Sequence, residues 1–253
     1  MVVGGVAIVV VIALLIATMV GGSSSGQTIP TGQAAADIVQ TVTSVPLSTA
    51  APIGSGSVTA RPKKLTGAPL TQDGKPEVLF IGAEYCPFCA TERWAMVVAL
   101  SRFGTFSNLA FTESTGNDVY PNTPTFTFRD ATYTSPYIDF AAVETADRSG
   151  NPLQTPTSDQ AATWQALDPN RTIPFVDIGG AYLINGATFD PAVLQGKSAR
   201  QIADALGDPN SATAKGVLGA ANDITAAICT TTNNQPADVC NAAPIKAIQD
   251  QLD

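Results

Sequence analysis

Two cysteines three residues apart, Cys86 and Cys89, bracket Pro87 and Phe88. The apolar run Val78-Leu79-Phe80-Ile81 precedes them, and the residues beyond them, Ala90 to Phe103, read as a helix. At a strand-to-helix junction, thiols at this spacing can meet as a disulfide. The first also sits where unpaired helix N–H groups and the helix dipole favour a thiolate. Pro87 suits a first helical turn, where its missing N–H would be unpaired anyway. Cys89 lies a turn further in and is expected to be more buried. The predicted chemistry is thiol–disulfide exchange: the Cys86 thiolate attacks a substrate disulfide, a mixed disulfide forms, and Cys89 resolves it, or the sequence runs in reverse on a substrate dithiol. A second signal is Thr172-Ile173-Pro174-Phe175-Val176, a proline between apolar residues at the start of an expected strand.

Composition narrows the alternatives. The chain has 253 residues and no histidine, which excludes a Ser-His-Asp triad, a Cys-His pair and His-ligated zinc. Its net charge of −8, with no cluster of Lys and Arg beyond Arg61-Pro62-Lys63-Lys64, argues against a nucleic-acid partner. Charged residues make up 13%, against roughly 25% in soluble domains; Ala, Thr, Ser and Gly fill the difference.

Three readings of the cysteines remain open. Cys86 and Cys89 form a redox pair, half of a zinc site, or a permanent disulfide in a binding domain. The zinc reading needs Cys229 and Cys240 as the other half, and their spacing is not that of a zinc knuckle. That second pair reads more simply as a structural staple, worth on the order of 3 kcal/mol for a loop of about a dozen residues. No metal or other cofactor is expected.

These groups need elements to hold them. Val78 to Ala83 reads as a strand buried on both faces. Leu109 to Glu113, Thr125 to Arg129 and Ile138 to Glu144 read as further strands, and Ser158 to Leu167 as a helix. Pro174 to Ile178 and Ala181 to Ile184 form a hairpin through Gly179-Gly180. Asp190-Pro191 opens a helical stretch, and Ser198 to Leu206 continues it. Beyond Asp208-Pro209 comes a helical appendage striped by Val217, Ile224 and Ile228, then a final helix from Pro244 to Leu252. Trp94 and Trp164 read as core residues, Glu84 as a rim carboxylate, and Glu144 and Asp177 as strand-end or surface carboxylates.

The N-terminus carries a different signal. Val2 to Val20 is uncharged and proline-free, about 28 Å long as a helix, which matches a bilayer core. A cleaved signal peptide is the competing reading; its apolar region would be shorter, and Thr18-Met19-Val20-Gly21-Gly22 is a poor cleavage site. No basic residue precedes the run to orient it. The expected organisation is a transmembrane anchor over residues 1–22, a flexible Ser/Gly/Pro/Thr-rich linker over 23–72 with a short helix around Ala34 to Val42, a catalytic domain over 73–207 and a helical extension over 208–253 with a Cys229–Cys240 disulfide. A structural disulfide and a linker of this composition place the domain outside the cytoplasm, on a single-pass cell-membrane anchor.

The segment Phe80-Ile81-Gly82-Ala83-Glu84-Tyr85-Cys86-Pro87-Phe88-Cys89, with Ile173-Pro174-Phe175 downstream, resembles the thioredoxin-like superfamily. The wider pattern resembles one uncharacterised, membrane-anchored branch of it, catalogued only as a domain of unknown function. That pattern includes Tyr120-Pro121-Asn122-Thr123-Pro124-Thr125-Phe126, Val143-Glu144 and Ala220 through Cys229, and the likeness spans about residues 73 to 253. It implies an α/β thioredoxin-like fold, a central mixed sheet flanked by helices, with redox-competent Cys86 and Cys89. It also implies a cis Ile173–Pro174 bond against the cysteines, with Ile173 offering backbone groups to an extended substrate. Tyr85 and Phe88 flank the thiols as an apolar docking surface. The implied partners are exported cysteine-containing proteins and a membrane electron carrier that resets the dithiol. The alternative function is a redox-silent binding or assembly module. Thioredoxins have a buried Asp six residues ahead of the first Cys, where this chain has Phe80, so a proton relay through that carboxyl is missing. Pro87-Phe88 also leaves the direction of exchange, oxidation or reduction, undecided.

Overall fold

The computed structural model describes residues 28–252. Helices α1 (Gly32–Thr43) and α2 (Leu47–Ala50) come first. The short strands β1 (Lys63–Lys64) and β2 (Thr71–Gln72) lead into β3 (Lys75–Gly82). Helix α3 (Pro87–Leu100) follows β3 after a four-residue loop, 83–86. Two small antiparallel pairs come next: β4 (Thr105–Ser107) with β7 (Thr132–Thr134), and β5 (Ala110–Glu113) with β6 (Pro124–Thr127). β8 (Asp139–Glu144), α4 (Ser158–Leu167), β9 (Phe175–Ile178) and β10 (Tyr182–Asn185) complete the central layer. A 3₁₀ turn (Pro191–Leu194) and α5 (Ala199–Ala205), α6 (Ala212–Thr231), α7 (Ala237–Cys240) and α8 (Ala243–Leu252) close the chain.

The architecture is mixed α/β, a central mixed sheet flanked by helices. β8 lies parallel to β3, β9 lies antiparallel to β3 on its other side, and β10 and β1 extend the sheet. The parallel β3–β8 pair requires a crossover, and α3 with the two small hairpins supplies it. β3 is buried on both faces because its side chains alternate. Val78 and Phe80 join the large core beneath the α3 and α6 layer, while Leu79 and Ile81 join a smaller core with Trp164 of α4 and Phe175. Trp94 is fully buried, T-shaped to Phe126 at 4.7 Å, and donates its indole N–H to the Pro124 carbonyl at 2.9 Å. That bond ties α3 to β6.

Four expectations need correction. Much of the segment read as a flexible linker is folded: from α1 onward it packs on the core, with Ile38, Val42 and Ala50 buried. Val58 bridges to Phe189, and β1 pairs with β10. The cause lies far along the chain. Asn222 donates to the Ala50 and Gly54 carbonyls at 2.8 Å each, and Asp223 accepts from Ser55 and pairs with Arg61. A Cβ on Gly219 would lie 2.4 Å from the Ser55 carbonyl oxygen, so the bare backbone at Gly219 is what admits this segment. For the same reason α6 is no appendage. Residues 216–229 are buried without interruption because α6 packs on α3, on α8 and on the α2 segment at once. Asp208-Pro209 does not start it; Ser211 caps it, accepting from the Ala214 N–H. Asp190-Pro191 opens only a 3₁₀ turn.

The expected membrane span, Val2 to Val20, lies outside the described residues. Among the described residues no helix is long and apolar enough to cross a membrane.

Candidate functional site

Cys86 is the N-cap of α3. Helix starts leave N–H groups without partners, and a Ser or Thr oxygen commonly accepts one of them. Here a sulfur does so: the Cys89 N–H donates to Cys86 Sγ at 3.2 Å. Cys86 and Cys89 are present as free thiols. The Cys86 thiol also reaches the Ile173 carbonyl at 3.9 Å, so the two distant signals of the sequence meet at one point. The Ile173–Pro174 bond is cis. Pro174 is buried and its carbonyl accepts from the Gly186 N–H at 2.8 Å, anchoring the turn after β10.

The two sulfurs differ in environment. A hydrogen bond from the Cys89 thiol is the largest influence holding Cys86 below the ordinary thiol range. The Cys89 and Phe88 N–H groups and the Arg93 charge act in the same direction, and burial opposes them. Cys89 moves the other way: burial pushes it well up, hydrogen bonding to Cys86 and the charge there add to that, and Arg93 opposes. Cys89 is sealed, as its place one turn into the helix predicts, whereas Cys86 keeps a narrow opening of 5% exposure. A Cβ on Gly82 would lie 2.5 Å from the Phe80 ring and 3.2 Å from Cys89 Sγ, so glycine at the end of β3 is what admits the second thiol.

Tyr85 and Phe88 are exposed on either side of Cys86. Phe88 sets its ring edge-on to Tyr120 at 6.0 Å. Beyond it lies a cleft of about 420 Å³ between Phe88, Thr59 and residues Gly186, Ala187, Phe189 and Pro191. Cys229 and Cys240 are bonded to each other across α6 and α7, so their sulfurs are not available to complete a four-cysteine site with the first pair.

The carboxylates read as rim, strand-end or surface groups are buried, Glu144 at the end of β8. Glu84 accepts from the Thr127 hydroxyl at 2.6 Å. Asp177 accepts from the Gly180 N–H, and burial raises it to about 6. Glu144 is fully buried in a two-point pair with Arg93, Nε to Oε1 at 2.9 Å and Nη2 to Oε2 at 2.6 Å. Burial pulls the Arg93 guanidinium down, but Glu144 and the two cysteines together more than offset it and leave it raised. Neighbouring Glu92 is buried too, accepting from the Thr188 N–H and hydroxyl, and burial raises it to about 7. Glu92 and Arg93 were the residues the sequence reading missed. The available signal was a charged dipeptide inside an otherwise apolar helix.

A family profile described as a domain of unknown function (DUF929) matches residues 61–168 and 158–230. No curated protein and no solved structure matches the chain.

Proposed function

The chain belongs to this family of domains of unknown function, and we propose that it is a thiol–disulfide oxidoreductase with a thioredoxin-like fold. The strand order β8-β3-β9-β10 supports the fold: β8 is parallel and β9 antiparallel to β3, and the cysteines lie between the central strand and its crossover helix. One observation carries the activity. The Cys86 sulfur sits on the amide-rich start of α3, 3.2 Å from the Cys89 N–H and 3.9 Å from the Ile173 carbonyl of a distant loop.

The asymmetry of the two thiols suits the chemistry. Cys86 is eased toward the thiolate and attacks one sulfur of a substrate disulfide. That S–S bond breaks, a Cys86–substrate disulfide forms, and the released substrate thiolate takes a proton from water. Cys89 keeps its proton until the intermediate forms and the Cys86 charge is gone. Its sulfur then attacks Cys86, the mixed disulfide breaks, and the Cys89 proton passes through water to the second substrate thiolate as it leaves. Two electrons pass from the protein dithiol to the substrate; in reverse, a substrate dithiol is oxidised. Tyr85 and Phe88 supply apolar contact beside the sulfur, and the Ile173 backbone is where an extended substrate would align. In this reading the domain works outside the cytoplasm on a membrane anchor, on exported cysteine-containing proteins, and a membrane electron carrier resets the pair.

The rival is a redox-silent binding module, which the 5% exposure of Cys86 favours. Insulin reduction and peptide dithiol oxidation, each comparing wild type with Cys86→Ser, separate the two. Wild-type turnover lost in the variant supports exchange; wild type no faster than the variant sinks it.

A further inference from the structure

The buried Arg93–Glu144 pair is the feature of the site that the exchange chemistry leaves unexplained. Arg93 lies four residues beyond Cys89, on the same face of α3. Its Nη2 donates to the Ala83 carbonyl at 2.8 Å, and that same carbonyl accepts the Cys86 N–H at 3.3 Å. The guanidinium lies over the Phe80 ring, 5.4 Å from its centroid. Phe80 holds the position where thioredoxins keep an acidic side chain, so this protein has a cation beside its cysteines in place of a carboxyl within β3. Arg93 and Glu144 are both fully buried, and Arg93 Nη1 has no hydrogen-bond partner. A buried ion pair is a poor way to gain stability, because removing two charges from water costs about as much as their attraction returns. Leaving one donor unsatisfied adds to that cost.

We propose that Arg93 is a positioning residue for the exchange reaction, a buried counter-charge for the Cys86–Cys89 pair whose field Glu144 trims. The inference rests on the exchange reading above. The charged and titratable groups around the sulfurs support it. Tyr85 flanks Cys86 on the loop before α3, and Glu84 on that loop is held by Thr127 of β6. Glu144 of β8 faces Arg93, and Arg93 is the cation that acts on both sulfurs. The reduced pair carries a negative charge on Cys86 and the disulfide carries none. Oxidation sends two electrons to a partner disulfide, which takes up the Cys89 proton and a second one from water to become a dithiol. A cation at this place therefore stabilises the reduced pair and biases the protein toward oxidising its partners. Glu144 partly cancels that bias.

The test is the pH profile of iodoacetamide alkylation at Cys86, read by mass spectrometry on the full chain, with the dithiol–disulfide equilibrium against glutathione measured in parallel. Arg93→Met is expected to lower the Cys86 thiolate fraction roughly tenfold at a given pH below its midpoint, the equivalent of one pH unit of midpoint. It should shift the glutathione equilibrium toward the disulfide by a similar factor. Arg93→Lys should restore most of both. Glu144→Gln should move both in the opposite direction, which loss of packing alone would not do. Unchanged profiles in a folded Arg93→Met variant, or both variants moving the same way, overturn the proposal. If Arg93→Met does not fold, Glu144→Gln decides it: an alkylation midpoint moved to lower pH supports the counter-charge, and an unmoved or raised midpoint overturns it. Alkylation needs no turnover, so the two failures are told apart: an inactive wild type sinks the exchange reading and with it this role, whereas unmoved alkylation profiles in an active protein sink the counter-charge alone.

Discussion

Glu92→Gln should flatten the dependence of stability on pH. Glu92 is fully buried, and its Oε2 accepts from the Thr188 N–H at 2.9 Å and the Thr188 hydroxyl at 2.8 Å. Its Oε1 has no hydrogen-bond partner. Burial moves the group from its ordinary 4.5 to about 7, and the Thr188 bonds only partly oppose this. The folded state therefore holds a proton that the unfolded state releases, and stability falls as pH rises. The loss begins as pH passes 4.5 and is complete above about 7. Each pH unit of that interval weighs about 1.36 kcal/mol, so the loss is roughly 3 kcal/mol. A glutamine keeps an oxygen for Thr188 and has no proton to lose. Urea unfolding of both proteins at several pH values between 4 and 8 checks this. Wild type should lose about 3 kcal/mol more than the variant across the range. Asp177, Glu77 and Asp223, also raised by burial, are common to both and cancel in the comparison. Parallel stability curves would refute the reasoning, because they would mean Glu92 titrates alike in the folded and unfolded chains.

Two further outcomes are expected. Val42 is fully buried on α1, so Val42→Ala should cost about 2 kcal/mol in urea unfolding; no loss would mean α1 is not part of the cooperative unit. Replacing Cys229 and Cys240 together with Ser should cost on the order of 3 kcal/mol of unfolding free energy and leave the alkylation rate of Cys86 unchanged, and a change in that rate would show that the bonded pair influences the site.

The legible parts of the site share a property: their signals are local. A run of apolar residues, two cysteines one helical turn apart and a proline that fits the first turn lie within a dozen positions, and backbone geometry dictates what such a pattern does. β3, α3 and the β9–β10 hairpin could be read this way, as could the buried thiol at Cys89. The short helix expected around Ala34 to Val42 is present as α1, but the linker reading otherwise fails because Gly, Ser, Thr and Pro describe a tether and a pinned segment equally well. What separates the two is Asn222 and Asp223, more than 160 residues away. The extension is helical and carries the expected Cys229–Cys240 bond, but its place in the core was not legible, since small residues look weakly amphipathic until other helices pack on them.

The order of residues by itself determined that a sulfur could cap a helix and that a second would lie one turn further in, because both follow from covalent spacing and helical pitch. Only the folded chain decided what surrounds those sulfurs. Arg93 meets Glu144 across 51 positions and Glu92 meets Thr188 across 96. A charge in an apolar helix gives no notice of its partner until a strand and a turn carry that partner to it and exclude the water.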